Sequence, residues 1–190
     1  MKKGYNMNYK VLQEYFFEII NYDINELKNN VKIVNYSNLD EIIQFVGAFK
    51  IIENNIIKDY KLLVPEIKDL KSLLINIHEY THLLMIKNQI GKKDYYNIYE
   101  EVIPITMERF FVQNFSLDEV QNFNLEQLKK LNFYVKCSNY NKYKYIIAYY
   151  YQFILYENYK NNISNLFNHK FNEKIIINDI AEKTIKILNN

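Results

Sequence analysis

A single cysteine, Cys137, leaves the chain without an internal disulfide and without any zinc site built from several thiolates. Three glycines and two prolines in 190 residues leave few places for tight turns, which disfavours a many-stranded sheet protein and favours long helices. No apolar stretch follows Lys2 and Lys3, so Met1 to Tyr9 does not read as a secretory signal. The richest apolar run, Ile146 to Tyr156, is interrupted by Gln152 and falls well short of the roughly 20 residues that span a bilayer. Charge of one sign is lacking too. Twenty-four Lys and Arg against 22 Asp and Glu give a net charge of +2, with the two signs interspersed rather than forming the basic face that tracks phosphates. These absences predict a cytoplasmic protein with no membrane and no nucleic-acid partner.

What is present is enough apolar content to fold. Hydrophobic residues make up 49% and charged residues 24%, close to ordinary globular usage, and the length suits a single domain over residues 1–190. The 19 Tyr, with abundant Asn, Ile and Lys, fit an AT-rich coding sequence and need no functional reason. Apolar residues at Val11, Leu12, Tyr15, Phe16, Ile19, Ile20, Ile24 and Leu27 have helical spacing over Tyr9 to Asn29. A second helix starts at the cap residue Ser37 or Asn38, with Asp40 and Glu41 in its first turn. Between Phe49 and Ile67 the short apolar groups suit a small two- or three-stranded element. From about Asp69, Leu70, Leu73, Leu74, Ile77, Thr81 and Leu84 line one side of a helix that Gly91 caps. Further helices are expected over Lys93 to Asn114, from Ser116 or Asn124, over Asn139 to Asn165, and from a cap near Asn178. The fold class is therefore mainly α, with packed helices and at most a small two- or three-stranded β element.

The pattern that carries chemistry is His78-Glu79-Tyr80-Thr81-His82, an HExxH motif inside a predicted helix. Residues four apart stand one above the other on a helix, so two imidazoles can grip one ion from a single face. Glu79, one position on, reaches the open side of that ion, where it can take a proton from a bound water. Ile77, Leu83 and Leu84 make the flanks apolar, as for a helix buried behind a metal.

A catalytic zinc takes three protein ligands and keeps one position open. The longer HExxHxxGxxH pattern is absent, since Met85 and Asn88 stand at its Gly and third His. The third ligand is then expected to be a carboxylate from the next helix, where Glu100, Glu101 and Glu108 sit among apolar residues. Charge in such surroundings is costly unless a cation or hydrogen bonds compensate it. Glu101 and Glu108 are two helical turns apart and project to the same side. Glu101 is the first choice and Glu108 the second, with Pro104 kinking the helix between them and Arg109 available to whichever Glu is unbound.

With these residues in place, the chain resembles the thimet oligopeptidase and oligoendopeptidase F family of zinc peptidases. That family follows HExxH with a helix bearing a ligand Glu, a Pro and a second Glu seven residues after the first; Glu101, Pro104 and Glu108 are similar, with Pro one place later. It also carries a tyrosine-rich helix whose phenols stabilise the tetrahedral intermediate, and Tyr140, Tyr143, Tyr145, Tyr149, Tyr150 and Tyr151 resemble it. The likeness runs from about Leu73 to Tyr156. Thr81 stands where the family has Gly, and His169 follows the tyrosines instead of preceding them. The resemblance implies a zincin-like metallopeptidase core with one zinc per chain, a peptide or protein substrate, and an oxyanion donor among Tyr143, Tyr145 and Tyr150.

The expected reaction is hydrolysis of a peptide bond by a metal-activated water, with Glu79 as general base. Competing readings are a regulatory protease specific for one protein partner such as a phage repressor, a non-catalytic zinc- or peptide-binding protein, and a helical interaction protein without metal. Substrate identity and oligomeric state leave no trace in the sequence.

Overall fold

The computed structural model describes residues 9–20, 25, 29–89, 91, 99–136 and 142–169, without the side chains of 9–12, 19, 135, 142 and 143. The described chain is mainly helical with one three-stranded sheet, and it divides into two compact units, Met1–Tyr96 and Asn97–Asn190. No described helix is long and apolar enough to cross a membrane.

In the first unit, helix α1 (Tyr9–Ile19) precedes strand β1 (Val31–Val34), the single turn α2 (Leu39–Ile42) and a 3-10 turn at Ile43–Phe45. Strands β2 (Gly47–Glu53) and β3 (Ile56–Pro65) lead to helix α3 (Leu70–Lys87). The strand order is β1-β3-β2, with β1 parallel and β2 antiparallel to β3. Asn54 and Asn55 join β2 to β3 with φ of 53° and 60°, the left-handed pair that a two-residue hairpin of matching twist requires. Along β3, Tyr60, Leu62 and Val64 are buried at a spacing of two, and that face meets α3.

Helix α3 starts where the sequence predicts. Asp69 caps it by accepting from the Ser72 amide at 2.8 Å, and Ser72 Oγ accepts from the Asp69 amide at 3.0 Å, a reciprocal box. The helix is buried on several sides, through Leu73, Ile77, Leu83 and Ile86 as well as Tyr80, which packs edge-on against Phe17 of α1 at 4.9 Å. Burying each aliphatic side chain of this size contributes about 1.5–3 kcal/mol. Asn76 fixes the helix to the end of β3 by donating to Pro65 O at 2.8 Å.

The second unit holds α4 (Val102–Val112), α5 (Leu117–Lys136) and α6 (Lys142–Tyr159), followed by a 3-10 stretch at Ile163–Asn168. Helix α6 packs on α4 and on α5, around Met107, Phe111, Phe123, Ile147, Ala148 and Leu155. Ser116 and Glu119 form the reciprocal cap of α5.

Several boundaries differ from expectation. Helix α1 ends at Ile19, and Ile24 and Leu27 lie outside the described residues, as do Cys137, Tyr140 and the expected terminal helix near Asn178. Strand β1 was not anticipated, because four residues are too few for alternation to show. Helix α3 stops at Lys87 with Asn88 as its cap. Gly91 instead donates its amide to Ile57 O at 2.9 Å from a φ of +79°. Helix α4 begins at Val102, with Glu101 as its N-cap. Pro104 is thus the third helical residue, not an interior one. Its missing N–H is one of those a first turn leaves unpaired, so Pro104 does not require a kink there.

Candidate metal centre

The i, i+4 relation in α3 places the Nε2 atoms of His78 and His82 3.0 Å apart, with ring centroids at 4.7 Å and planes inclined by 68°. Two nitrogens about 2.05 Å from one tetrahedral ion are about 3.3 Å apart, so the pair already stands within a few tenths of an ångström of a chelating arrangement. Behind the imidazoles the helix is apolar and anchored. Thr81 Oγ donates to Ile77 O at 2.7 Å, and burial pushes the Tyr80 phenol pKa up to about 12.

Glu79 is half-buried beside the start of β2. Its Oε2 accepts the Ala48 backbone amide at 3.1 Å. A carboxylate has only acceptor sites, so this bond orients one oxygen while leaving the other to accept a proton. Ala48 carried no signal in the sequence, because any residue but proline supplies a backbone N–H.

In the second unit, Glu101 is buried, and its side chain takes no part in capping α4. Its Oε1 accepts a charged hydrogen bond from Lys144 Nζ at 3.0 Å. Glu100 lies 3.9 Å from the same ammonium and is more exposed. Glu108, a half-buried residue of α4, lies near the Tyr149 phenol. Burial raises the Tyr149 pKa, and the negative charge of Glu108 and, less strongly, of Glu101 adds to the effect. This phenol stays a hydrogen-bond donor across the physiological range.

Among the described residues, Arg109 meets neutral acceptors rather than the acidic partner expected of it. Its Nε donates to Gln152 Oε1 at 3.0 Å and a terminal nitrogen donates to Asn124 Oδ1 at 2.8 Å, with the guanidinium 3.9 Å from the Phe153 ring centroid. Lys144 meets Glu101, and nothing in its KYKY surroundings distinguished it. Among the tyrosines singled out in the sequence, Tyr145 stacks on Tyr134 at 4.3 Å, and Tyr150 packs edge-on against Tyr151 at 5.4 Å. The Tyr143 side chain lies outside the described residues.

Among the described residues, His78, His82 and Glu101 make up a group that can hold a metal ion. Each can offer one ligand atom. Two imidazoles and a carboxylate are a donor set suited to zinc, with a fourth position left for water or substrate. Comparison with protein-family models, with curated proteins and with solved structures gives no match.

Proposed function

We propose that this protein is a zinc-dependent peptidase with a zincin-like core, acting on peptide or protein substrates in the cytoplasm. The observation that carries the reading is the His78, His82 and Glu101 group, with Glu79 on the same helix as the two imidazoles. One zinc held there by these three residues would supply Lewis acidity and ease the ionisation of a water at neutral pH.

The chain's own residues account for the remaining steps. Glu79 Oε2 is fixed by the Ala48 amide, so its carboxylate is oriented to take a proton from the attacking water and return it to the amine nitrogen as the peptide bond breaks. A buried phenol kept protonated is suited to donate to the oxyanion, and Tyr149 now joins Tyr143, Tyr145 and Tyr150 as a candidate because of its nearness to Glu101 and Glu108. Glu108 stays the second choice as ligand. The intact Glu79 favours catalysis over a purely structural zinc site, which has no use for that carboxylate.

The test is metal content by elemental analysis, followed by cleavage of a peptide library. The expected result is about one zinc per chain in the wild type, little in His78→Ala and Glu101→Ala, and cleavage that Glu79→Gln abolishes without loss of zinc. A protein that takes up no zinc when zinc is supplied would sink the reading.

A further inference from the structure

Lys144, the third residue of α6, sets its Nζ 3.0 Å from Glu101 Oε1, and the two side chains are only 16% and 6% exposed. The same ammonium lies 3.9 Å from Glu100 Oε2 and 5.2 Å from the Tyr145 ring centroid. Glu101 is also the carboxylate of the candidate metal group. A resident cation therefore already sits on the anion that the ion would use.

We propose that Lys144 contends with the metal ion for Glu101 and thereby sets the metal affinity of the centre, an inference that rests on the zinc reading above. Two effects act in the same direction. A dication bound to Glu101 is repelled by an ammonium within a few ångströms, and this repulsion is weakly screened where the carboxylate is buried and the lysine half-buried. Without Lys144, moreover, the buried Glu101 carboxylate would lose one compensating positive charge, and an incoming ion would restore it. Lysine suits the exchange. Its charge rides on a flexible stem that can draw back towards water, whereas a planar guanidinium would lock the carboxylate bidentately.

The experiment measures zinc affinity by competition with a chromogenic chelator, using chelator-stripped wild type, Lys144→Met and Lys144→Arg. Lys144→Met is expected to bind zinc about tenfold or more tightly than wild type, and Lys144→Arg, whose guanidinium holds the carboxylate more firmly, more weakly than wild type. Stripped Lys144→Met should melt below stripped wild type, with the gap narrowing or reversing on zinc addition. A purely structural ion pair would instead lower both melting temperatures equally and leave the affinity unchanged. Equal or weaker zinc binding by Lys144→Met overturns the proposal. Should that variant not fold, amine labelling at Lys144 of the wild type, followed by mass spectrometry, decides the matter: zinc should accelerate it, and an unchanged or slower rate counts against the exchange. If wild type itself takes up no zinc, the peptidase reading fails first. If it binds zinc but Lys144 has no influence, only this inference fails.

Discussion

Glu79 Oε2 lies 3.1 Å from the backbone nitrogen of Ala48, so the carboxylate of the HExxH motif is hydrogen-bonded to the first residues of an edge strand. The bond joins two parts of the first unit that are distant in sequence, and it gives the proposed base a defined orientation.

Replacing Glu79 by Gln tests that orientation separately from the chemistry. The amide oxygen can still accept from Ala48, so melting temperature and zinc content should match wild type while cleavage falls by about a factor of 10²–10⁴ or more, the usual worth of a general base. Glu79→Ala should lose the same activity and also some stability, about 1 kcal/mol for the missing bond. Thermal melts beside a peptide assay separate the two.

Zinc removal should weaken the fold. An ion that binds only the folded chain contributes about 2.7 kcal/mol when its free concentration is a hundredfold above Kd, so a chelator should lower the melting temperature of wild type. His78→Ala and Glu101→Ala should show no such drop, because neither holds the ion. An equal drop in all three would assign the effect to the chelator itself.

Alkaline pH should unfold the chain partly through Tyr80. Burial raises its pKa in the folded protein to about 12 from an ordinary 10. The contribution of its buried neutral phenol is thus fully present below pH 10 and is lost as pH rises from about 10 through about 12. A shift of that size is worth at most about 2–3 kcal/mol. Tyr80→Phe removes this linkage, so its alkaline midpoint by circular dichroism should lie above that of wild type. A midpoint that does not move would mean that Tyr80 ionises freely in the folded state.

Gln152 is fully buried and accepts Arg109 Nε, while Arg109 is itself only 4% exposed. Gln152→Leu leaves a buried guanidinium short of an acceptor and should cost about 2–3 kcal/mol by urea denaturation. Burial lowers the Arg109 pKa to about 10, so the group still carries its charge at neutral pH. Adding Arg109→Met should recover part of the loss, the sign of coupling between contacting residues. Strictly additive effects would show the two side chains to be independent.

Much of the HExxH half of the candidate centre is legible in the sequence because it is local. The pairing of His78 with His82 follows from helical pitch, and Asp69 marks the start of the helix that carries them. Glu101 could be singled out as an acidic residue in an apolar setting. Its position at the head of α4 could not, because apolar spacing says little about where a helix begins, and Pro104 is compatible with a first turn as readily as with a kink. Lys144 and Ala48 were invisible for different reasons. The lysine meets Glu101 only through the packing of α6 on α4, and the alanine acts through a backbone group common to nearly every residue. Strand β1 gains its identity from pairing with β3, which no four-residue stretch can announce alone.

The Asn54–Asn55 turn reaches further than its surface position suggests. It fixes the register in which Ala48 stands opposite Leu62, and backbone amides along a strand point alternately to its two sides. Adding or deleting one residue in the hairpin would swing the Ala48 amide away from Glu79 unless the irregularity at Ile51 and Ile52 absorbed the change. Side-chain exchanges near the hairpin tip that keep the left-handed turn would then be silent for the proposed chemistry, whereas a one-codon insertion or deletion there would be a lesion in it, acting on a carboxylate it never touches.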